Sequence, residues 1–213
     1  MSIPSRPVAA VLSLLLAGPI LLAGCAEQGT SEAGSTSAAT GTSTEDVASE
    51  TTAPSEPEDD GADAPEFPAG TEGDAQAASA DASVTVSDIR IGAHDGFDRV
   101  VLEVGGTGVP GWDVRYVDAA SSQGSGNPVD VAGTAVLQVT LTGAGYPYDT
   151  GVEEYEGGPL TSADTTVIGE VVWDATYEGT SVAFIGTTGE HPFRVHALEG
   201  PKRVVIDVAH TAG

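Results

Sequence analysis

The octapeptide Phe97–Val104, FDRVVLEV, returns about a hundred residues later as Pro201–Val208, PKRVVIDV. Both copies read Arg-Val-Val, an aliphatic residue, an acid and Val. Alternation of this kind marks a strand that buries one face. Successive side chains of a strand point to opposite sides, so Val100, Leu102 and Val104 share one face and Arg99, Val101 and Glu103 the other. In the second copy Val204, Ile206 and Val208 form the apolar face, opposite Arg203, Val205 and Asp207. Each strand thus hides an aliphatic side and shows an Arg-Val-acid row.

A weaker pair accompanies the first. WDVRYVD (Trp112–Asp118) is similar to FRVHALE (Phe193–Glu199), and the order of the two motifs is inverted between the early and late copies. Two arrangements follow. Side by side and antiparallel about Val101 and Val205, the copies set Arg99 against Asp207 and Glu103 against Arg203, and each cross-strand ion pair adds about 0.2–1 kcal/mol. Placed in separate sheets, they bury their aliphatic faces against each other and turn both charged rows outward, toward a ligand.

The rest of the region from Ser83 to Gly213 reads the same way. Short alternating runs are separated by Gly, Pro, Asp and Asn clusters, the pattern of an all-β sandwich or barrel. VTVSDIRIG and DRVVLEV flank the hairpin pair Asp95-Gly96, and VDVAGTAVLQVTLTGA reads as two strands around Gly133. Further hairpins are expected to turn at Glu178-Gly179 and Gly200-Pro201. No window carries a helical period, although the loop after Gly143 has room for one turn.

The closing stretch PFRVHALEGPKRVVIDV resembles the final motif of AMIN domains, small β-sandwich modules found beside bacterial cell-wall amidases and in secretin channels. With FDRVVLEV and the strand at Trp173-Asp174 it is similar to the AMIN-like variant of actinobacterial lipoproteins, over about Val84 to Val208. The resemblance implies a small two-sheet β-sandwich, a non-catalytic envelope role and contact with peptidoglycan or with an envelope protein. It also implies that the copies lie in different sheets, with Arg203 and Asp207, together with their counterparts Arg99 and Glu103, facing a ligand. Leu198 and Pro201 would shape the closing turn. No amidase or secretin region accompanies the motif here.

The N-terminal part has a different composition. Residues 1–24 hold one cation, Arg6, and then an Ala/Val/Leu/Ile run broken by Pro and Gly, the form of a secretory signal. The run closes in Leu22-Ala23-Gly24-Cys25, which resembles the lipobox of bacterial lipoproteins, and Cys25 is the only cysteine in the chain. A single cysteine excludes an internal disulfide and a CxxC pair. Lipidation of Cys25 would anchor the mature chain to the outer face of the cell membrane. From residue 26 to about 82 the sequence is Ser, Thr, Ala, Gly, Pro and acids, with 14 carboxylates, no Lys or Arg, and Phe67 as its lone aromatic residue. Such a tract cannot offset its chain entropy by burial and is expected to act as a disordered linker, about 40 Å in root-mean-square span. The domain boundaries expected are therefore 1–24, 25–82 and 83–213.

Charge narrows the function. The region from Ser83 carries 18 acids against six bases, a formal net of −12, which repels phosphate backbones and excludes nucleic acid as a partner. The sequence contains no G-x-S-x-G, HExxH or P-loop motif. The histidines His94, His191, His196 and His210 are expected at the surface and not as zinc ligands, since His191 and His196 stand five apart. Asp149, Glu153, Glu154 and Glu156 in the loop Tyr148–Gly158 lack regular calcium-loop spacing and read as a solvated acidic loop. Trp173, Phe184 and Phe193 belong to apolar faces. Trp112 and Tyr116, at even spacing on one strand, could line a sugar-stacking platform or pack in the core. The reading is a binding module with no cofactor and no metal, against the alternative of a small wall-active glycoside or peptide hydrolase using a carboxylate pair.

Overall fold

The computed structural model describes residues 64–211. The signal-like segment, Cys25 and most of the acidic tract lie outside the described residues. The elements are β1 (Asp74–Gln76), β2 (Ser83–His94), β3 (Phe97–Thr107), β4 (Gly111–Val117), β5 (Ala135–Thr142), α1 (Pro147–Thr150), β6 (Ile168–Tyr177), β7 (Thr180–Thr187), β8 (Phe193–Leu198) and β9 (Arg203–Ala209). They form a five-stranded sheet in the order β1-β4-β5-β7-β6 and a four-stranded sheet in the order β2-β3-β9-β8. Every strand pairing is antiparallel. The expected hairpins at Asp95-Gly96, Glu178-Gly179 and Gly200-Pro201 all form, and α1 is the single turn after Gly143.

The aliphatic faces meet between the sheets. Val100, Leu102, Val104, Val204, Ile206 and Val208 from the four-stranded sheet pack with Trp112, Val114, Leu137, Val139, Leu141, Val171 and Ile185 from the other. All of these are at most 5% exposed, so each contributes the full burial of an aliphatic or aromatic side chain, roughly 1.5–3 kcal/mol.

The two copies of the repeat are neighbours in the same sheet. Arg99 stands opposite Asp207, Val101 opposite Val205, and Glu103 opposite Arg203. This corrects the separate-sheet arrangement implied by the family resemblance. The physical reason lies in the motif itself, because Arg-Val-Val-aliphatic-acid is self-complementary when one copy runs antiparallel to the other. Each Arg meets an acid while the aliphatic residues stay on the core side.

Two further expectations need correction. The folded body begins well before Ser83. Strand β1 pairs with β4, and the Trp112 indole N–H donates to Asp74 at 2.9 Å. In addition, residues 129–134 are not a strand. They end a loop that lies across the outer face of the five-stranded sheet, where Ala120, Val129 and Val131 cover Phe184, Val182 and Val136 in a second small core. Phe184 is fully buried there, outside the sandwich interior. The loop approaches so closely that a side chain at Gly186 would run into the backbone of Ala132, so only glycine fits at this point of β7.

The exposed edges of both sheets are partly covered. Along β2, Gly145 N–H donates to Val84 O at 2.8 Å and Tyr155 N–H to Val86 O at 2.8 Å. Along β6, Leu160 and Val171 exchange hydrogen bonds. The segment from Gly143 to Leu160 therefore occupies backbone groups that would otherwise template another strand.

Candidate functional site

The outer face of the four-stranded sheet gathers most of the basic residues of the sandwich. Asp207 is fully buried and receives two guanidinium groups. Arg99 grips it bidentately, Nε to Oδ1 at 2.6 Å and Nη2 to Oδ2 at 3.0 Å. Arg194, beside it on β8, donates Nε to Oδ2 at 2.8 Å. Paired, geometrically fixed bonds of this sort are the strong form of the charge-assisted hydrogen bond. Arg99 is only 6% exposed, so solvent screens the knot little.

Aromatic rings close over these charges. The Arg194 guanidinium carbon lies 4.4 Å from the ring centre of Phe67 and 5.2 Å from that of Phe97, and Arg99 lies 5.3 Å from Phe97. His94 stacks flat on Phe97 at 4.9 Å. Arg194 also donates to the Pro65 carbonyl at 2.7 Å. The segment around Phe67 thus straps the sheet. It walls a cavity of about 240 Å³ lined by Pro65, Pro68, Asp74 and Arg194 among others. Cation–π contacts to a partly desolvated Arg are worth about 1–2 kcal/mol. Phe67→Ala should therefore detach residues 64–70, seen as faster amide exchange and proteolysis there, with a stability loss of about 1–2 kcal/mol.

A second buried carboxylate ties the two sheets together. Asp98 is fully buried on β3, in phase with Val100 and Leu102 on the core side. Its Oδ2 accepts three consecutive backbone N–H groups, from Thr166 at 2.8 Å, Val167 at 2.6 Å and Ile168 at 2.9 Å. Its Oδ1 is 2.9 Å from Nε2 of His210. Burial alone would push this carboxyl up. The N–H groups of Ile168, Val167 and Thr166, together with His210, outweigh burial and hold it below the ordinary carboxylate value.

The other residues singled out from sequence fall in varied places. Glu103 faces Arg203 in register, yet its carboxylate takes Arg90 of β2 at 3.1 Å. Arg203 donates to the carbonyl of Pro201 at 3.2 Å. Trp112 and Tyr116 point inward with Val114 between them. Trp112 is 5% exposed, and Tyr116 packs edge-on to Phe193 at 5.8 Å with its hydroxyl bonded to backbone groups of His191. They are core residues, which corrects the sugar-platform reading of this pair. His191 and His196 are each 8% exposed, against the expectation of surface histidines. The first is held by Thr188 and Tyr116, and the second sits on β8 opposite Val205. In the acidic loop, Tyr155 packs edge-on to Trp173, while Glu153, Glu154 and Glu156 line an open hollow with Ser87. Among the described residues no group of three or more His, Cys, Asp and Glu side chains is placed to hold a metal ion.

Asp98 was legible in part. It is the one charge on the aliphatic phase of FDRVVLEV, and a buried acid demands donors. The roles of Arg194 and Phe67 depend on strand register and on a segment outside the alternating pattern, and no spacing signal announces them.

A two-layer antiparallel sandwich whose fully buried carboxylates are engaged by arginines and backbone donors defines a small all-β module. Residues 84–210 match the family model of the AMIN-like domain, and the chain belongs to that family. The AMIN-like domain is an envelope-associated type of binding module. Neither a curated protein nor a solved structure matches the chain.

Proposed function

We propose that this chain is a lipid-anchored binding module of the cell envelope, attached through Cys25, carried on the acidic tract as a stalk, and contacting peptidoglycan. The observation that supports a binding role over hydrolysis is the state of the two fully buried carboxylates. A glycosidase needs a carboxyl group kept protonated to act as general acid. Asp98 is driven the opposite way by its donors, and both oxygens of Asp207 are engaged by Arg99 and Arg194. Neither is available to a substrate. Within the charged rows of the repeat, the partly exposed residues left for a partner are Glu103 and Arg203 at the far end.

The full chain, purified in mild detergent, should pellet with insoluble peptidoglycan and release no soluble sugar or peptide. Soluble products would overturn the binding reading in favour of hydrolysis. Failure to pellet, with capture of an envelope protein instead, would favour the protein-partner alternative.

A further inference from the structure

One aromatic cluster takes no part in the core or in the arginine knot. Tyr148 is 80% exposed and Tyr177 is 42% exposed, the two most exposed aromatic residues among the large apolar side chains described. Tyr148 is not a loose side chain. It stacks on Tyr146 with ring centres 5.3 Å apart and planes inclined by 14°, so one of its faces is backed by a second ring and the other is open. Its backbone sits in the single turn α1, begun by Pro147 and closed by the bond from Gly151 N–H to Pro147 O at 2.8 Å. The Tyr146 hydroxyl in turn accepts the backbone N–H of Glu178 at 3.3 Å, and Ala144 N–H donates to Gly179 O at 3.0 Å. The tyrosine pair is thereby fixed to the β6–β7 turn, which carries Tyr177.

That turn holds a second unusual feature. Glu178 has a φ of +47°, the one positive value among the non-glycine residues described. Gly179 follows at +81°, and positive φ at both central residues is what a tight two-residue hairpin turn requires. The effect is to hold a carboxylate beside Tyr177, whose phenol is pushed up chiefly by the Glu178 charge. Asp149 supplies another exposed acid next to Tyr148. The surface is therefore a flat, rigid ring beside one exposed acid, with no Lys or Arg in the turn or in α1.

We propose that Tyr148, backed by Tyr146 and bordered by Asp149, is a stacking platform for a neutral glycan strand. This rests on the envelope-binding reading and names the site and the part of the polymer it takes. A pyranose ring offers a C–H face that stacks on an aromatic ring, and its hydroxyl and acetamido groups offer donors that suit the Asp149 carboxylate. A ring already immobilised by stacking and by a capped turn loses little further freedom on binding. The acid excludes phosphorylated or otherwise anionic polymers. One open face fits a flat partner. A cage for an organic cation would instead need aromatic walls on several sides.

The test uses the full chain in mild detergent with a β-1,4-linked N-acetylglucosamine tetramer, followed by calorimetry, alongside pelleting with insoluble peptidoglycan. The tetramer should bind, Tyr148→Ala should weaken it at least tenfold, and Tyr148→Phe should stay within about threefold of the parent, since the ring and not the hydroxyl does the stacking. The melting temperature of Tyr148→Ala should be unchanged, because so exposed a side chain contributes little to folding. If the parent pellets with peptidoglycan but does not bind the tetramer, or if Tyr148→Ala binds it as tightly as the parent, the platform is wrong while the module reading stands. If the parent binds neither, both readings fall. Tyr148-dependent binding of a lysine-containing stem peptide in place of the tetramer would reassign the site to a cationic ligand.

Discussion

Asp98→Ala should lose about 3–5 kcal/mol of stability, the cost of stranding several buried donors at once. The buried N–H groups of Val167 and Ile168 and the more exposed one of Thr166 would lose their acceptor, and His210 would lose its partner. Out of a typical total of about 5–15 kcal/mol, this leaves a marginal domain. Denaturant melts followed by tryptophan fluorescence measure it directly, with Trp112 and Trp173 both in contact with the core. His210→Ala removes one donor from the rim of the site and should cost far less, about 1 kcal/mol.

The pH dependence has a definite sign. The Asp98 carboxyl titrates below its ordinary value of 3.8 in the folded chain. Its stabilisation is therefore complete above 3.8 and disappears as the pH falls from there through the lower folded value. Asp98→Asn should flatten the acid limb of the stability curve across that window. An unchanged acid slope in the Asn variant would show that other carboxylates govern acid unfolding.

Asp207→Ala is the second large effect. It would leave two guanidinium groups, Arg99 and Arg194, without their shared carboxylate beneath the Phe67 strap. Breaking a buried pair from one side costs about 3–5 kcal/mol. A double-mutant cycle between Arg99 and Asp207 should show strong coupling, because the two share a buried bidentate contact. Arg203→Ala, at the open end of the same row, should move stability by no more than about 0.5 kcal/mol. Equal effects at Arg99 and Arg203 would mean that the row is uniformly exposed, against the burial seen here.

The asymmetry between the two ends of that row explains what could be read from sequence and what could not. Alternation identified the faces of β3 and β9, and antiparallel complementarity offered the register Arg99–Asp207 and Glu103–Arg203 as one of two choices. Which end is buried depends on Phe67, Phe97 and Arg194. Phe67 comes from a polar tract with no periodic pattern, and its only signal was to be the lone aromatic residue in that tract. Strand β1 was missed for the same reason, since three residues with a single apolar member give no alternation to detect. Trp112 and Tyr116 illustrate a different limit. Even spacing places two side chains on one face but does not say whether that face looks in or out. The aromatic residues that do look out, Tyr148 and Tyr177, lie in a turn and at a strand end, where periodicity carries no information.

The central place of β9 in its sheet bears on how the chain can be assembled. β9 joins β3 to β8, so the four-stranded sheet has no continuous hydrogen-bonded order until residues 203–209 are in position. A polypeptide delivered from its N-terminus, by a ribosome or through a membrane pore, presents those residues after everything they must join. The early hairpin of β2 and β3 waits with one edge of β3 unpaired until β9, about a hundred residues later, is made. Pairings that distant in sequence form slowly. Closure of this sheet is thus deferred until residues 203–209 have emerged, which keeps the preceding chain threadable in transit, and truncation ahead of residue 203 would leave β3 and β8 with no strand between them.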